Sequence, residues 1–216
     1  MAVNARASSA ELTRRLIDVG RRFYARHWVL GTSGNFSAVL SRRPLRLVLT
    51  ASAAHKGTLT PRQFVQVDEH GRAVGRRPGR PSAETLLHLA IVKARGAAAV
   101  LHTHSVWGTI LSDRHASARG LTIHSYEMLK GLEGVTTHEH KEWIPIVEND
   151  QDMARLAGVV TGVLNEDARA HAFLIRGHGL YTWGRTVADA ERHVEILEFL
   201  FETVGRRSGH GLSQNP

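Results

Sequence analysis

The chain has 216 residues, 42% of them hydrophobic, and carries 28 Lys and Arg against 20 Asp and Glu, a formal net charge of +8. That length accommodates one large domain with a substantial core; no Pro/Gly/Ser-rich linker divides it, no stretch is apolar for long enough to span a membrane, and the first residues lack a signal-peptide core, so a soluble, cytoplasmic protein is expected. With no cysteine, disulfides, thiolate metal sites and cysteine nucleophiles are excluded, and the scattered arginines lack the interleaved aromatics of a nucleic-acid surface and suit a small anion better.

In chain order, residues 10–27 place Leu12, Leu16, Val19 and Phe23 at a helical period, with Ser9 as N-cap. The Gly31-Thr32-Ser33-Gly34-Asn35 loop leads into a strand at 36–40, a second strand covers 45–50, and a hairpin at 64–74 turns at Glu69-His70-Gly71. Ser82 opens a helix that Gly96 ends. Residues 143–147 read as an edge strand because of Pro145, and Asn149 or Asp150 caps a helix over 151–164. Two strands flank Gly177-His178-Gly179, and a last helix over 186–204 opens on Thr186-Val187-Ala188-Asp189, a variant capping box. Residues 1–9 and 207–216 are expected to be flexible ends of a single domain spanning 10–206. Arg76-Arg77 with Arg80, and Arg206-Arg207, read as solvated surface. Interleaved helices and strands predict a layered α/β architecture.

The chemistry concentrates in His102-Thr103-His104, which follows an apolar run that ends a strand. Side chains alternate along a strand, so His102 and His104 face the same way and can hold one metal ion, with His178 completing a three-ligand site that keeps open positions. A cupin, which is nearly all β, and a metal-dependent hydrolase barrel, which needs more chain, fit the pattern less well. Ser33, Asn35, Ser52 and Ser82 lie in loops suited to a phosphate, the last at a helix N-terminus. His138, Glu139 and His140 read as pocket rim or surface, His88 as a satisfied buried side chain, and His55 and Lys56 as a solvated loop, with assistance to the phosphate as their other reading.

Five ordered segments then carry a family resemblance: Gly31-Thr32-Ser33-Gly34-Asn35-Phe36-Ser37, His55-Lys56-Gly57-Thr58-Leu59-Thr60-Pro61, Pro81-Ser82-Ala83-Glu84-Thr85, Val100-Leu101-His102-Thr103-His104-Ser105 and Arg176-Gly177-His178-Gly179. Together they resemble the class II aldolase family over nearly the whole chain. The resemblance implies a three-layer α/β/α fold with a central, mostly antiparallel sheet and one zinc ion at His102, His104 and His178. It also implies phosphate contacts near Ser33, Asn35, Ser52 and Ser82, and a homotetramer with sites near subunit boundaries. The stretches Tyr126-Glu127-Met128-Leu129-Lys130-Gly131-Leu132, Thr137-His138-Glu139 and Ile144-Pro145-Ile146-Val147-Glu148-Asn149 are similar to a dehydratase branch of the family, hydro-lyases of methionine salvage that act on a methylthio-substituted pentulose phosphate. That similarity implies an acid/base role for Glu127, with Glu84 as the competing carboxylate. Sugar-phosphate aldolase or pentulose-phosphate epimerase chemistry is the alternative on this fold, and a non-enzymatic adducin-like domain a more distant one.

Overall fold

The structure is a computed structural model and describes residues 7–75 and 79–209. Five helices, α1 (Ser9–Ala25), α2 (Thr85–Arg95), α3 (Val106–Arg114), α4 (Met153–Glu166) and α5 (Val187–Gly209), enclose one sheet. Its strands are β1 (Asn35–Arg42), β2 (Leu45–Thr50), β3 (Phe64–Asp68), β4 (Ala73–Val74), β5 (Ala99–Thr103), β6 (Gly120–His124), β7 (Lys141–Val147), β8 (Ala172–Ile175) and β9 (Gly179–Gly184). They lie in the order β4-β3-β2-β1-β5-β9-β8-β7-β6. Every pairing is antiparallel except β7 with β8, in line with the expected three-layer α/β/α arrangement.

Alternation along the strands divides the core. Leu47, Val65, Val67, Val100, Phe173 and Ile175 face α2 and α4. On the opposite face Phe36, Ala38, Val48, Ala99 and Leu101 meet α1 and the start of α5, and Leu121, Ile144, Ala172 and Leu174 meet α3 and the rest of α5. Burying a side chain of this size stabilises the fold by about 1.5–3 kcal/mol, which explains why the central strands are apolar on both faces.

Several local expectations shift. Ser8, not Ser9, caps α1 by accepting the Glu11 N–H. Helix α2 starts at Thr85 rather than beside Ser82, whose hydroxyl accepts the Glu84 N–H at 3.2 Å in the turn before it; Gly96 ends the helix at φ 60°, as expected. Asp152, not Asn149 or Asp150, caps α4, because its carboxylate takes the N–H groups of Ala154 and Arg155. Strand β7 is not at the edge, since β6 covers it. Pro145 is tolerated there because the bond beside it is donated by Ile146 to the Arg119 carbonyl at 3.0 Å. Of the expected flexible ends, residues 1–6 and 210–216 lie outside the described residues, as do Arg76 and Arg77; Ser9 and Arg207 belong to helices. Among the described residues no helix is long and apolar enough to cross a membrane.

Candidate metal centre

The site forms where β5 ends, β9 begins and β1 begins. His102 pairs with Tyr181 across β5 and β9, and the two rings stack at 3.9 Å with an interplanar angle of 11°. Strand β5 stops at Thr103, so His104 lies one residue past it. Its N–H donates to the Trp28 carbonyl at 2.8 Å, which keeps that residue directed toward the same side. His178 sits in the tight β8–β9 turn, where Gly177 takes φ 59° and Gly179 presses against β5: a Cβ there would lie 2.0 Å from the Thr103 carbonyl oxygen.

These three segments bring three ring nitrogens together. Nε2 of His102 lies 2.8 Å from that of His104 and 3.3 Å from that of His178, and the last two are 3.1 Å apart. His102 Nδ1 donates to the Leu180 carbonyl at 2.8 Å, which leaves its Nε2 as a bare lone pair. A proton can bridge only one such pair at a time, so the trio has the donor set of a cation site. Burial pushes the pKa of all three below the usual imidazole value, His104 to about 4, so their lone pairs are free at neutral pH.

Glu84 joins them. It occupies the N-cap position of α2 without capping it and turns its side chain inward, Oε1 lying 3.2 Å from His178 Nε2 and Oε2 3.6 Å from His102 Nε2. A buried chain orients it: Asn35 Nδ2 donates to Glu84, Asn35 Oδ1 accepts from His88 Nε2, and His88 Nδ1 accepts from the Ser37 hydroxyl at 2.7 Å. His88 is thus the buried, satisfied side chain expected, held neutral with a pKa lowered to about 3 by burial. The Tyr181 phenol is raised well above its ordinary pKa by burial and by Glu84.

Ser33, Asn35, Ser52, Ser82, Glu84, His104 and His178 all line one cavity of about 260 Å³. Asn35 uses its amide inside the protein and Ser33 donates its hydroxyl to the Leu30 carbonyl at 2.7 Å, whereas the Ser82 hydroxyl only accepts, from the Glu84 N–H. Lys56, expected in a solvated loop, is buried in the wall of the same cavity. Sequence reading missed Tyr181 and the role of Asn35, whose partners are remote in the chain, and the burial of Lys56.

Glu127 does not join this site. Register across the sheet places Thr103, Gly179, Ile175, Val147 and Gly120 at one end, and Ala99, Gly184, Ala172, Lys141 and His124 at the other. The histidines stand at the first end, whereas Glu127 follows His124 at the second. Its side chain is 73% exposed and paired with Lys130 at 2.6 Å, and that bond lowers its pKa. His138 and Glu139 are exposed as expected, but His140 turns to the buried Glu142 at 2.7 Å, which also binds His171 at 3.0 Å. Burial opposes a charge on His171, yet Glu142 raises its pKa, so protons satisfy this second cluster. It borders a cavity of about 670 Å³ at the end of the sheet away from the histidine trio.

Residues 14–204 match the sequence model of the Class II Aldolase and Adducin N-terminal domain. The chain belongs to this family. It is 46% identical over 197 residues, 90% of its length and 94% of the relative's, to a Pseudomonas syringae pv. syringae protein named methylthioribulose-1-phosphate dehydratase. It is likewise 46% identical over 195 residues, 90% and 93% of the two lengths, to a protein of that name from Methylococcus capsulatus. Among solved structures of the family's fold, an L-fuculose 1-phosphate aldolase aligns with TM-score 0.77 at 20% identity over 99% of this chain and 94% of its own. YgbL of Klebsiella pneumoniae aligns with TM-score 0.78 at 22% identity, covering 93% of this chain and 91% of that one.

Proposed function

We propose that this chain is a zinc-dependent hydro-lyase that converts 5-methylthioribulose 1-phosphate to 5-methylthio-2,3-dioxopentyl phosphate, a step of methionine salvage, as a cytoplasmic homotetramer. The observation that carries this reading is the 46% identity, spread over nine-tenths of the chain, with proteins named for that dehydration. The geometry agrees with it. His102, His104 and His178 would hold the metal, and a divalent ion there supplies Lewis acidity to the oxygens of a bound ketose. Zinc is the first assignment for three neutral imidazoles that leave open positions.

The protein's own groups do the rest. The loops of Ser33, Ser52 and Ser82, with the N-terminus of α2, would receive the phosphate, while Asn35, its amide engaged by Glu84 and His88, borders the same cavity. Glu84 stands at the metal ligands, placed to take a substrate hydroxyl proton. Glu127 accepts the proton on C3 and passes it to the departing C4 hydroxyl, which leaves as water, while Glu84 returns its proton to the C3 oxygen. The enol left between C3 and C4 tautomerises to the 2,3-diketone, so atoms and charge balance. Because Glu127 lies at the far end of its own sheet, it serves the histidines of a neighbouring copy, which makes each site a shared one.

Turnover of 5-methylthioribulose 1-phosphate, fuculose 1-phosphate and ribulose 5-phosphate by the zinc-loaded protein tests the reading. Diketone formation from the first alone is expected. Cleavage or epimerisation of either of the others, with the first left intact, would replace dehydration by the alternative chemistry of the fold.

A further inference from the structure

Lys56 is 1% exposed, among the most deeply buried large side chains in the molecule. Its Nζ donates to the Ala54 carbonyl at 2.6 Å and the Thr32 carbonyl at 2.9 Å. Those carbonyls belong to the two loops that carry Ser52 and Ser33, so the ammonium is clamped where the loops meet, in the wall of the cavity. Among the described residues no carboxylate lies within ion-pair distance of it. Glu84 acts on it only from further off and is itself engaged by His178, His102 and Asn35. A buried cation without a counter-charge is costly, because its lost hydration is not replaced by a paired charge. Two carbonyls alone need no charge, since a neutral amide could donate to both. The arrangement is that of a cation waiting for an anion.

We infer that Lys56 is the resident positive charge of the anion subsite and pairs with the substrate's phosphate monoester, its two carbonyl bonds fixing Nζ between the Ser33 and Ser52 loops. This rests on the cavity being the substrate site proposed above. Burial lowers the Lys56 pKa to about 8, so the group still carries its charge at neutral pH. The same charge helps to lower the pKa of His104, which places it electrically next to the metal ligands as well.

Calorimetric titration of the zinc-loaded full chain with inorganic phosphate tests the assignment without any turnover. In Lys56→Met, phosphate affinity is expected to fall about ten- to a hundredfold, the range for losing a hydrogen bond to a charged group, while zinc content per chain is unchanged. Lys56→Gln keeps a donor for the carbonyls but no charge; it is expected to lose affinity similarly, and it carries the test alone if Lys56→Met does not fold. Phosphate bound by Lys56→Gln as tightly as by the parent would reduce Lys56 to a loop brace and overturn the inference. A protein that binds phosphate through Lys56 yet leaves 5-methylthioribulose 1-phosphate unchanged would defeat the proposed reaction and not this subsite.

Discussion

Thr103, between His102 and His104 in sequence, points to the other face of the sheet and donates its hydroxyl to Glu198 of α5 at 2.7 Å. Burial pushes that carboxyl up to about 7, against the opposing bonds from Ser105 and Thr103. The folded protein therefore holds a proton there that the unfolded chain, with its ordinary carboxylate, releases near pH 4.5. The native state binds more protons through this window, so the group's contribution to stability falls as pH rises from about 4.5 to about 7, by at most about 1.4 kcal/mol per pH unit. Glu198→Gln is expected to remove that slope, seen as a difference between variant and parent urea-unfolding free energies that changes with pH; parallel profiles would contradict it. At this scale the convergence of the three histidines was legible in the sequence because alternation puts His102 and His104 on one side and a glycine-flanked histidine marks a tight turn. Glu84 was legible only as a competing carboxylate, since a helix-start position says nothing about which way a side chain turns. Lys56 was misread because its acceptors are backbone carbonyls, which no residue type in the sequence marks.

The elements that deliver the histidines depend on close backbone approach. Gly34 takes φ 71° and leaves no room for a Cβ beside the His102 carbonyl, 2.6 Å away. Gly179 permits no side chain at all against Thr103. Gly179→Ala is expected to force β9 away from β5, destabilise the fold by more than about 2 kcal/mol and weaken metal retention, both measurable by thermal unfolding with and without added zinc. An alanine variant as stable and as well metallated as the parent would show that the strand contact does not set the site. Strand β2 was read from its short apolar run rich in β-formers, and the hairpin after it from its turn residues. Helix α3 and strand β6 were not placed, since neither carries a clear periodic stripe: α3 begins on Val106-Trp107 immediately after the ligands and leaves Val106 and Ile110 exposed. Caps slipped by a few residues wherever two capping side chains stood close together, as at Ser8-Ser9 and Asp150-Asp152.

On the scale of the whole molecule, the sheet separates two chemistries. One end gathers the histidine trio, Glu84 and the cavity lined by Ser33, Ser52 and Ser82; the other gathers Glu127, the Glu142 cluster and the larger cavity. Sequence order hides this separation, because the direction of each strand decides which end a loop occupies. If Glu127 serves a neighbouring copy, Glu127→Gln and His178→Ala proteins are each inactive alone, and mixed assemblies formed by co-expression regain a fraction of parental turnover; mixtures as inactive as their components would show that Glu127 does not act across copies, and full activity of Glu127→Gln alone would place it outside the catalytic machinery. The most direct test of the three converging imidazoles is metal counting coupled to turnover. One zinc per chain is expected in the purified protein, with dehydration of 5-methylthioribulose 1-phosphate abolished by exhaustive chelation and regained on adding zinc back. Undiminished dehydration by protein stripped of every divalent ion would contradict it.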